Sequence, residues 1–407
     1  MTRTRSILLL LFVAAVAQVP SPDLRAQDRS KTVLVHYMPW YASKPVSGHW
    51  GWHWTMNHFD PDRVRADGQR EVASHDYPLI GLYDSNDADA LECQVLLMKL
   101  AGIDGVIIDW YGTAHFRDYP DVHRNTQHFI KHVRKAGLQY AVCYEDQTVK
   151  YMKEAELLRD QQDIAQGQKD LAWLTDNCFS DDAYVKIKGR PVLLIFGPQY
   201  FQKNQWARMV TELNQRPLLF GLPHLVQQNG LDGAYGWPPV TGGVEIVPDV
   251  WRKYLESLHA RPDADKFVIS VAFPEFRDIY EQAELHDSYG SIDDRDGATF
   301  ADTLNMAQES RSRIIQIATW NDYGEGTMIE PTKASGYRYL EHVRKHTENN
   351  EAYSADDLRL PVMVYQLKKK LSQNAARGVQ LKKATDLLFA GDCNKARLIL
   401  ESVAKDE

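Results

Sequence analysis

Apolar runs of five to seven residues recur along the chain, each followed by a longer stretch in which apolar positions return every three or four residues. The runs predict strands over residues 32–38, 106–110, 139–144, 191–196, 217–222, 233–237, 267–273 and 313–319. Helical spacing predicts helices over 88–101, 123–136, 206–214, 247–259, 299–310 and 336–346, with two further segments filling 148–177. Gly102 and Gly137 stand where the first two of these helices must stop. The strand runs are nearly continuous in apolar residues, as strands buried on both faces require. Eight such alternations predict an α/β fold of the (β/α)8 TIM barrel type. No glycine-rich phosphate loop follows the first strand, which argues against an open dinucleotide-binding sheet. Beyond residue 350 the strand pattern ends, and helical spacing over 362–371, 378–390 and 394–404 predicts a small C-terminal helical bundle, residues 351–407.

The first residues carry a different pattern. Arg3 and Arg5 precede an apolar run over residues 7–17 that closes on Ala15-Val16-Ala17, which predicts a signal peptide of residues 1–17 ahead of a barrel domain of residues 18–350. No later run is long enough to span a bilayer, so export without membrane attachment is the expectation. Loss of Arg3 and Arg5 with the leader takes the formal charge from −8 to −10, which disfavours a nucleic-acid partner. The four cysteines, Cys93, Cys143, Cys178 and Cys393, contain no Cys-x-x-Cys pair, so no zinc site is predicted. Cys93 and Cys143 fall among apolar positions and are expected to act as small hydrophobes. A Cys178–Cys393 bridge is compatible with export, though no spacing supports it.

In a barrel the chemistry collects at the C-terminal ends of the strands. Those ends carry His36, Tyr37, Trp40 and Tyr41 on the first strand, and Asp109, Trp110 and Tyr111 on the second. The third carries Glu145, the sixth Tyr235 and Trp237, the seventh Glu275, and the eighth Trp320, Asn321 and Asp322, with Glu325 and Glu330 close behind. Trp50, Trp52 and Trp54 follow in the loop after the first strand. Aromatic faces stack on the C–H faces of sugars, and carboxylates and amides bind hydroxyls, so this inventory predicts a polysaccharide or oligosaccharide substrate. The plainer alternative is that the aromatics only fill the barrel mouth. Asp322 and Glu325, three residues apart, have a plainer alternative too, as the capping box of a helix N-terminus. His49, His53 and His58 are better explained by the same glycan cleft than by a metal, because no carboxylate or histidine accompanies them at ligand spacing.

Trp320-Asn321-Asp322-Tyr323-Gly324-Glu325 resembles the signature of the fungal α-1,3-glucanases, glycoside hydrolase family 71. Its continuation through Gly326-Thr327-Met328-Ile329-Glu330-Pro331 resembles the endo-α-mannosidases of family 99, as do Tyr37-Met38-Pro39-Trp40-Tyr41 and Gly102-Ile103-Asp104-Gly105-Val106. The resemblance runs from residue 32 to about residue 345. It implies a (β/α)8 α-glycosidase that needs no cofactor, acts inside its chain, uses Glu325 as general acid and employs Asp322 as the partner carboxylate. It also implies that Glu145 binds a substrate hydroxyl. The endo-α-mannosidases carry Glu where this chain has Asp322, and that Glu is thought to act through the sugar's own 2-hydroxyl. The glucanases carry Asp and are regarded as inverting, so the shorter side chain favours an Asp322-activated water. A glycan-binding barrel without turnover, a transglycosylase and a polysaccharide-biosynthesis protein are the alternatives on the same scaffold. Retention of both carboxyls and the predicted export favour hydrolysis.

Overall fold

The computed structural model describes residues 31–159, 161–196, 199–261, 267–347 and 353–405; the predicted leader lies outside them. Eight parallel strands form the frame: β1 Thr32–Tyr37, β2 Gly105–Trp110, β3 Gln139–Tyr144, β4 Arg190–Ile195, β5 Leu218–Gly221, β6 Gly233–Tyr235, β7 Val268–Ala272 and β8 Ile314–Ile317. They pair in the order β3-β2-β1-β8-β7-β6-β5-β4, and β3 then pairs with β4, which closes the barrel. Thr32 lies opposite Ile314 and Leu34 opposite Gly105, so β1 is held on both sides by parallel neighbours. Each strand is buried along nearly its whole length, which is why the apolar runs lack clean alternation.

The helices follow their predicted positions with small shifts at the ends. Helix α1, Ala88–Ala101, starts where the Asp87 carboxylate accepts the Asp89 amide, and it stops at Gly102, whose φ of 80° suits a residue without a Cβ. Helix α2, Tyr119–Ala136, begins four residues earlier than its apolar spacing indicates, because Pro120 is tolerated in a first turn. Its face of Val122, Phe129, Ile130 and Val133 is buried, each side chain contributing about 1.5–3 kcal/mol of apolar burial. Helices α3, Gln147–Glu154, and α4, Gln162–Leu174, fill the next crossover. They are followed by α5 Lys203–Thr211, α6 Pro248–His259, α7 Ala298–Glu309 and α8 Arg338–His346. Among the described residues no helix is long and apolar enough to cross a membrane.

Of three C-terminal helices, α9 Arg359–Lys370 packs on the outside of α1, and α10 Ala375–Phe389 and α11 Cys393–Lys405 pack on α9 and on each other. Lys368 pairs with Asp89 and Glu92, Lys369 pairs with Asp87, and Lys99 donates to the Phe389 carbonyl. The described residues from Lys31 onward consequently form one compact unit. All four cysteines are buried free thiols, which corrects the Cys178–Cys393 option. Cys178 sits beside Tyr140 of β3, whereas Cys393 sits beside Lys99 of α1, so different layers of the molecule hold them.

A short hairpin, Phe276–Arg277 with Ser291–Ile292, leaves the top of β7 and carries the loop of residues 278–290. No apolar periodicity marks it, and it becomes one wall of the site.

Candidate active site

Beyond Ile317 the chain doubles back on itself. The Thr319 amide donates to the Thr327 carbonyl, Ile329 to Thr319, and Glu330 to Trp320, while the Thr319 hydroxyl accepts the Asp322 amide at 2.8 Å. The hairpin is tied to the same loop, with Arg277 N–H on the Glu325 carbonyl and Ile279 N–H on Gly324. Gly326 permits that approach: its φ is 66°, and a Cβ there would meet the Arg277 carbonyl oxygen at 2.7 Å. The capping-box alternative is set aside, since no helix begins until Arg338. The Asp322 carboxylate still accepts the Glu325 amide at 3.0 Å, but it does so within a turn, and both carboxyls line one cleft.

That cleft occupies about 1590 Å³ at the C-terminal ends of the strands. Trp40, Tyr41, Trp52, Asp109, Tyr111, Glu145 and Trp237 line it with the two acids, as their strand-end positions predict. Trp40 lies flat on His53, centroids 4.1 Å apart and planes 3° apart, and His53 faces Asp118 at 3.5 Å. Trp237 meets the edges of His36 and Phe196, each at 5.0 Å, on the other side of the floor. The loop of residues 278–290 supplies Tyr280, His286 and Tyr289, with His286 and Tyr289 stacked at 4.7 Å. No strand-end rule finds these three; their aromatic character in a polar loop is the only signal. His49 and His58 do not join His53, so the histidines after the first strand form no cluster.

Other strand-end candidates lie elsewhere, for a simple geometric reason. Alternate strand residues point to opposite faces, so with His36 and Asp109 facing inward, Tyr37 and Trp110 face the helices. Tyr37 stacks on Phe129 at 3.7 Å and donates to Gln94, and Trp110 stacks on Trp173 and donates to His123. Tyr235 is buried below the cleft, its hydroxyl on the Ile195 carbonyl. Trp320 is buried beneath the doubled loop. Asn321 is a brace: its side chain accepts the Met38 amide at 2.8 Å and donates to the Met38 carbonyl and to Tyr83 at 3.0 Å each. Glu330 lies behind the loop, where it accepts from Tyr83, Tyr323 and Gln94. Glu275 opens on a separate depression of about 650 Å³, with Asp76, Asp294 and Arg338.

Burial sets the electrostatics of the cleft. It raises Asp322 to about 6, against the pull of the Glu325 and Gly324 amides on its charged form. Glu325 is pushed well above the carboxylate range by burial and then by the Asp322 charge, and one of its oxygens has no hydrogen-bond partner among the described residues. Glu145 is raised to about 8 by burial, then by Asp146 and Asp322. Asp109 rises by burial and then by Glu145. Burial and the Asp322 charge thus favour the proton on Glu325, while two backbone amides favour the charged form of Asp322, which is the division that acid–base cleavage of an acetal requires.

A model of glycosyl hydrolase family 99 matches residues 29–219, and a domain of unknown function matches residues 176–357. The mouse glycoprotein endo-alpha-1,2-mannosidase is 23% identical over 337 residues, covering 75% of this chain and 70% of the relative. A human glycoprotein endo-alpha-1,2-mannosidase-like protein is 22% identical over 341 residues, with coverage of 75% and 70%. Among solved structures, the family 99 endo-alpha-mannosidase of Bacteroides thetaiotaomicron in complex with bis-tris-propane superposes with a TM-score of 0.60 at 18% identity. The match covers 81% of this chain and 98% of that one, so the two share a fold.

Proposed function

We propose that this chain, a glycoside hydrolase of the family 71/99-like group, cleaves an internal α-mannosidic linkage in a polysaccharide or oligosaccharide. One observation carries the assignment of roles: Asp322 and Glu325 share a deep cleft, and their surroundings separate them into a charged and a protonated carboxyl. Glu325 donates its proton to the departing glycosidic oxygen as the C–O bond breaks. Asp322 draws a proton from the water that attacks the anomeric carbon, and its charge offsets the positive charge that develops on the ring. Trp40, Tyr111 and Trp237 hold sugar faces, and Glu145 and Asp109 bind hydroxyls. The cleft, about 1590 Å³, exceeds the space one sugar ring fills, which supports action within a chain rather than at its end.

The mouse relative is an endo-alpha-1,2-mannosidase, which makes α-1,2-linked mannose the first substrate to test, and α-glucan the second. The test incubates purified protein with α-mannans and α-glucans and sizes the products. Oligosaccharides from α-mannan, absent with Asp322→Asn, support the proposal. Binding without product from any α-glycan would replace it with a glycan-binding barrel. We further infer that the protein acts after export; the basic and apolar start of the chain supports this. Mass spectrometry of the mature protein checks it, and an intact Met1 end would reject it.

A further inference from the structure

The barrel floor holds a cluster that the hydrolytic reading does not use in full. His36, Asp109 and Cys143 point inward from β1, β2 and β3, and one ligand atom from each lies within 4.8 Å of the others. Asp109 and Cys143 are register partners on adjacent strands, so their shared level is fixed by the sheet. All three are buried. Neither Asp109 oxygen has a hydrogen-bond partner of good geometry among the described residues; the Trp110 amide, next in the chain, gives only a weak pull.

The state of His36 can be deduced from its neighbour. Gln316 donates its amide N–H to the Gly236 carbonyl at 2.9 Å, which leaves its carbonyl oxygen facing His36 Nδ1 at 3.3 Å. Nδ1 must therefore carry the hydrogen, and Nε2 presents a bare lone pair that no described residue answers. A neutral imidazole oriented through Nδ1–H on a carbonyl is how histidine is prepared to bind a metal. Cys143 Sγ has one weak contact, the Tyr235 hydroxyl at 4.0 Å. A sugar hydroxyl could satisfy a carboxylate and an imidazole but gains little from a thiol, whereas a borderline-soft cation answers the two unpartnered groups and exchanges that weak contact for a thiolate bond.

We propose that His36 Nε2, the Asp109 carboxylate and Cys143 Sγ form a binding site for a divalent cation of the zinc class. Binding expels the Cys143 proton, and any proton on Asp109, to solvent, and the 2+ charge is balanced by the thiolate and the carboxylate. A contraction of about 1 Å brings the three atoms to the spacing of a tetrahedral shell with bonds of roughly 2.0–2.3 Å. The remaining position faces the cleft, because His36 and Asp109 both line it.

The site is read on the protein alone, so its failure and the failure of the hydrolytic reading are separate results. Tag-free, chelator-treated protein is titrated with Zn2+ by calorimetry and with Co2+ by absorption. About one equivalent should bind, with a thiolate-to-cobalt charge-transfer band in the near ultraviolet. Cys143→Ala and His36→Gln should each weaken binding on the order of 10²-fold or more, since removing a direct ligand costs no less than removing its support. Cys143→Ala should also abolish the band. The proposal is overturned if wild-type protein binds neither ion. It is equally overturned if the band survives Cys143→Ala, which would move the site to one of the other cysteines. Should a variant fail to fold, the wild-type stoichiometry and band still decide.

Discussion

Replacing Glu325 with Gln removes the acidic proton and changes the shape of the side chain almost not at all. The two side chains have the same shape, and a protonated Glu is neutral, as Gln is. Because burial and the Asp322 charge favour the protonated Glu325 carboxyl, the substitution leaves the ground state of the cleft nearly unchanged. What it takes away is proton donation to the leaving oxygen, worth about 10² to 10⁴ in rate, or roughly 3–5 kcal/mol of barrier at 1.36 kcal/mol per decade. The assay compares an unactivated α-linked oligosaccharide with an α-glycosyl fluoride. On the oligosaccharide kcat should fall by that factor with KM held; on the fluoride, whose leaving group needs little help, most of the rate should remain. The pH profile gives an independent check. Wild-type activity should rise as Asp322 ionises at about 6 and fall when Glu325 loses its proton, and the variant should keep the first limb and lack the second. Stability follows the same group. The folded state binds this proton more tightly than the unfolded state, so wild-type stability falls as pH rises from the ordinary Glu value through the raised one. The gap in Tm in favour of the variant should therefore widen with pH. Near wild-type kcat on the oligosaccharide, or an equal loss on both substrates, would refute the reasoning.

The Trp40→Ala variant should raise KM about tenfold, the equivalent of roughly 1.4 kcal/mol, with kcat changed far less, because a stacking face serves ground state and transition state alike; an unchanged KM argues against a platform. In Glu330→Gln an amide must meet three donors, and turning Gln94 to accept would cost its bond from Tyr37, so about 1–3 kcal/mol of stability should be lost in denaturant titration; wild-type stability would show that the carboxylate is not needed there. NMR of the first product from an α-linked substrate should show the β-hemiacetal, as a water activated by the short Asp322 requires, and initial α-hemiacetal rejects that water.

The barrel is legible because its signal is local and repeated. Runs such as residues 106–110 and 139–144 need no distant information to be recognised as strands. The site is legible only as far as the strand-end rule reaches. Asp109 and Tyr111 stand in the cleft while Trp110 between them turns to Trp173, so nearness to a strand end selects the right neighbourhood and the wrong face. Period-two alternation, applied residue by residue, separates Tyr37 from His36 in the same way. Tyr280 and Glu330 are harder. Tyr280 reaches the cleft because backbone bonds tie its hairpin to Gly324 and Glu325, and Glu330 leaves the cleft because the chain doubles back between Thr319 and Ile329. Neither event has a pattern in side-chain type; both depend on where main-chain donors meet acceptors far apart in sequence.

The spacing of the two acids does more than bring them together. Glu325 gives its backbone N–H to the Asp322 carboxylate, a bond that favours the charged form of Asp322. The charge so favoured then raises the Glu325 side chain, which has one oxygen with no partner among the described residues. The same residue thus helps ionise its neighbour through its main chain and is kept protonated by that neighbour through its side chain. Reversing the roles would place the charge on the carboxyl with fewer donors, still repelled by Asp278. The turn favours the proposed assignment over its reverse, with Asp322 as base and Glu325 as acid. Asn321, braced on Met38 and Tyr83, keeps that turn in register with the first strand and so with Trp40.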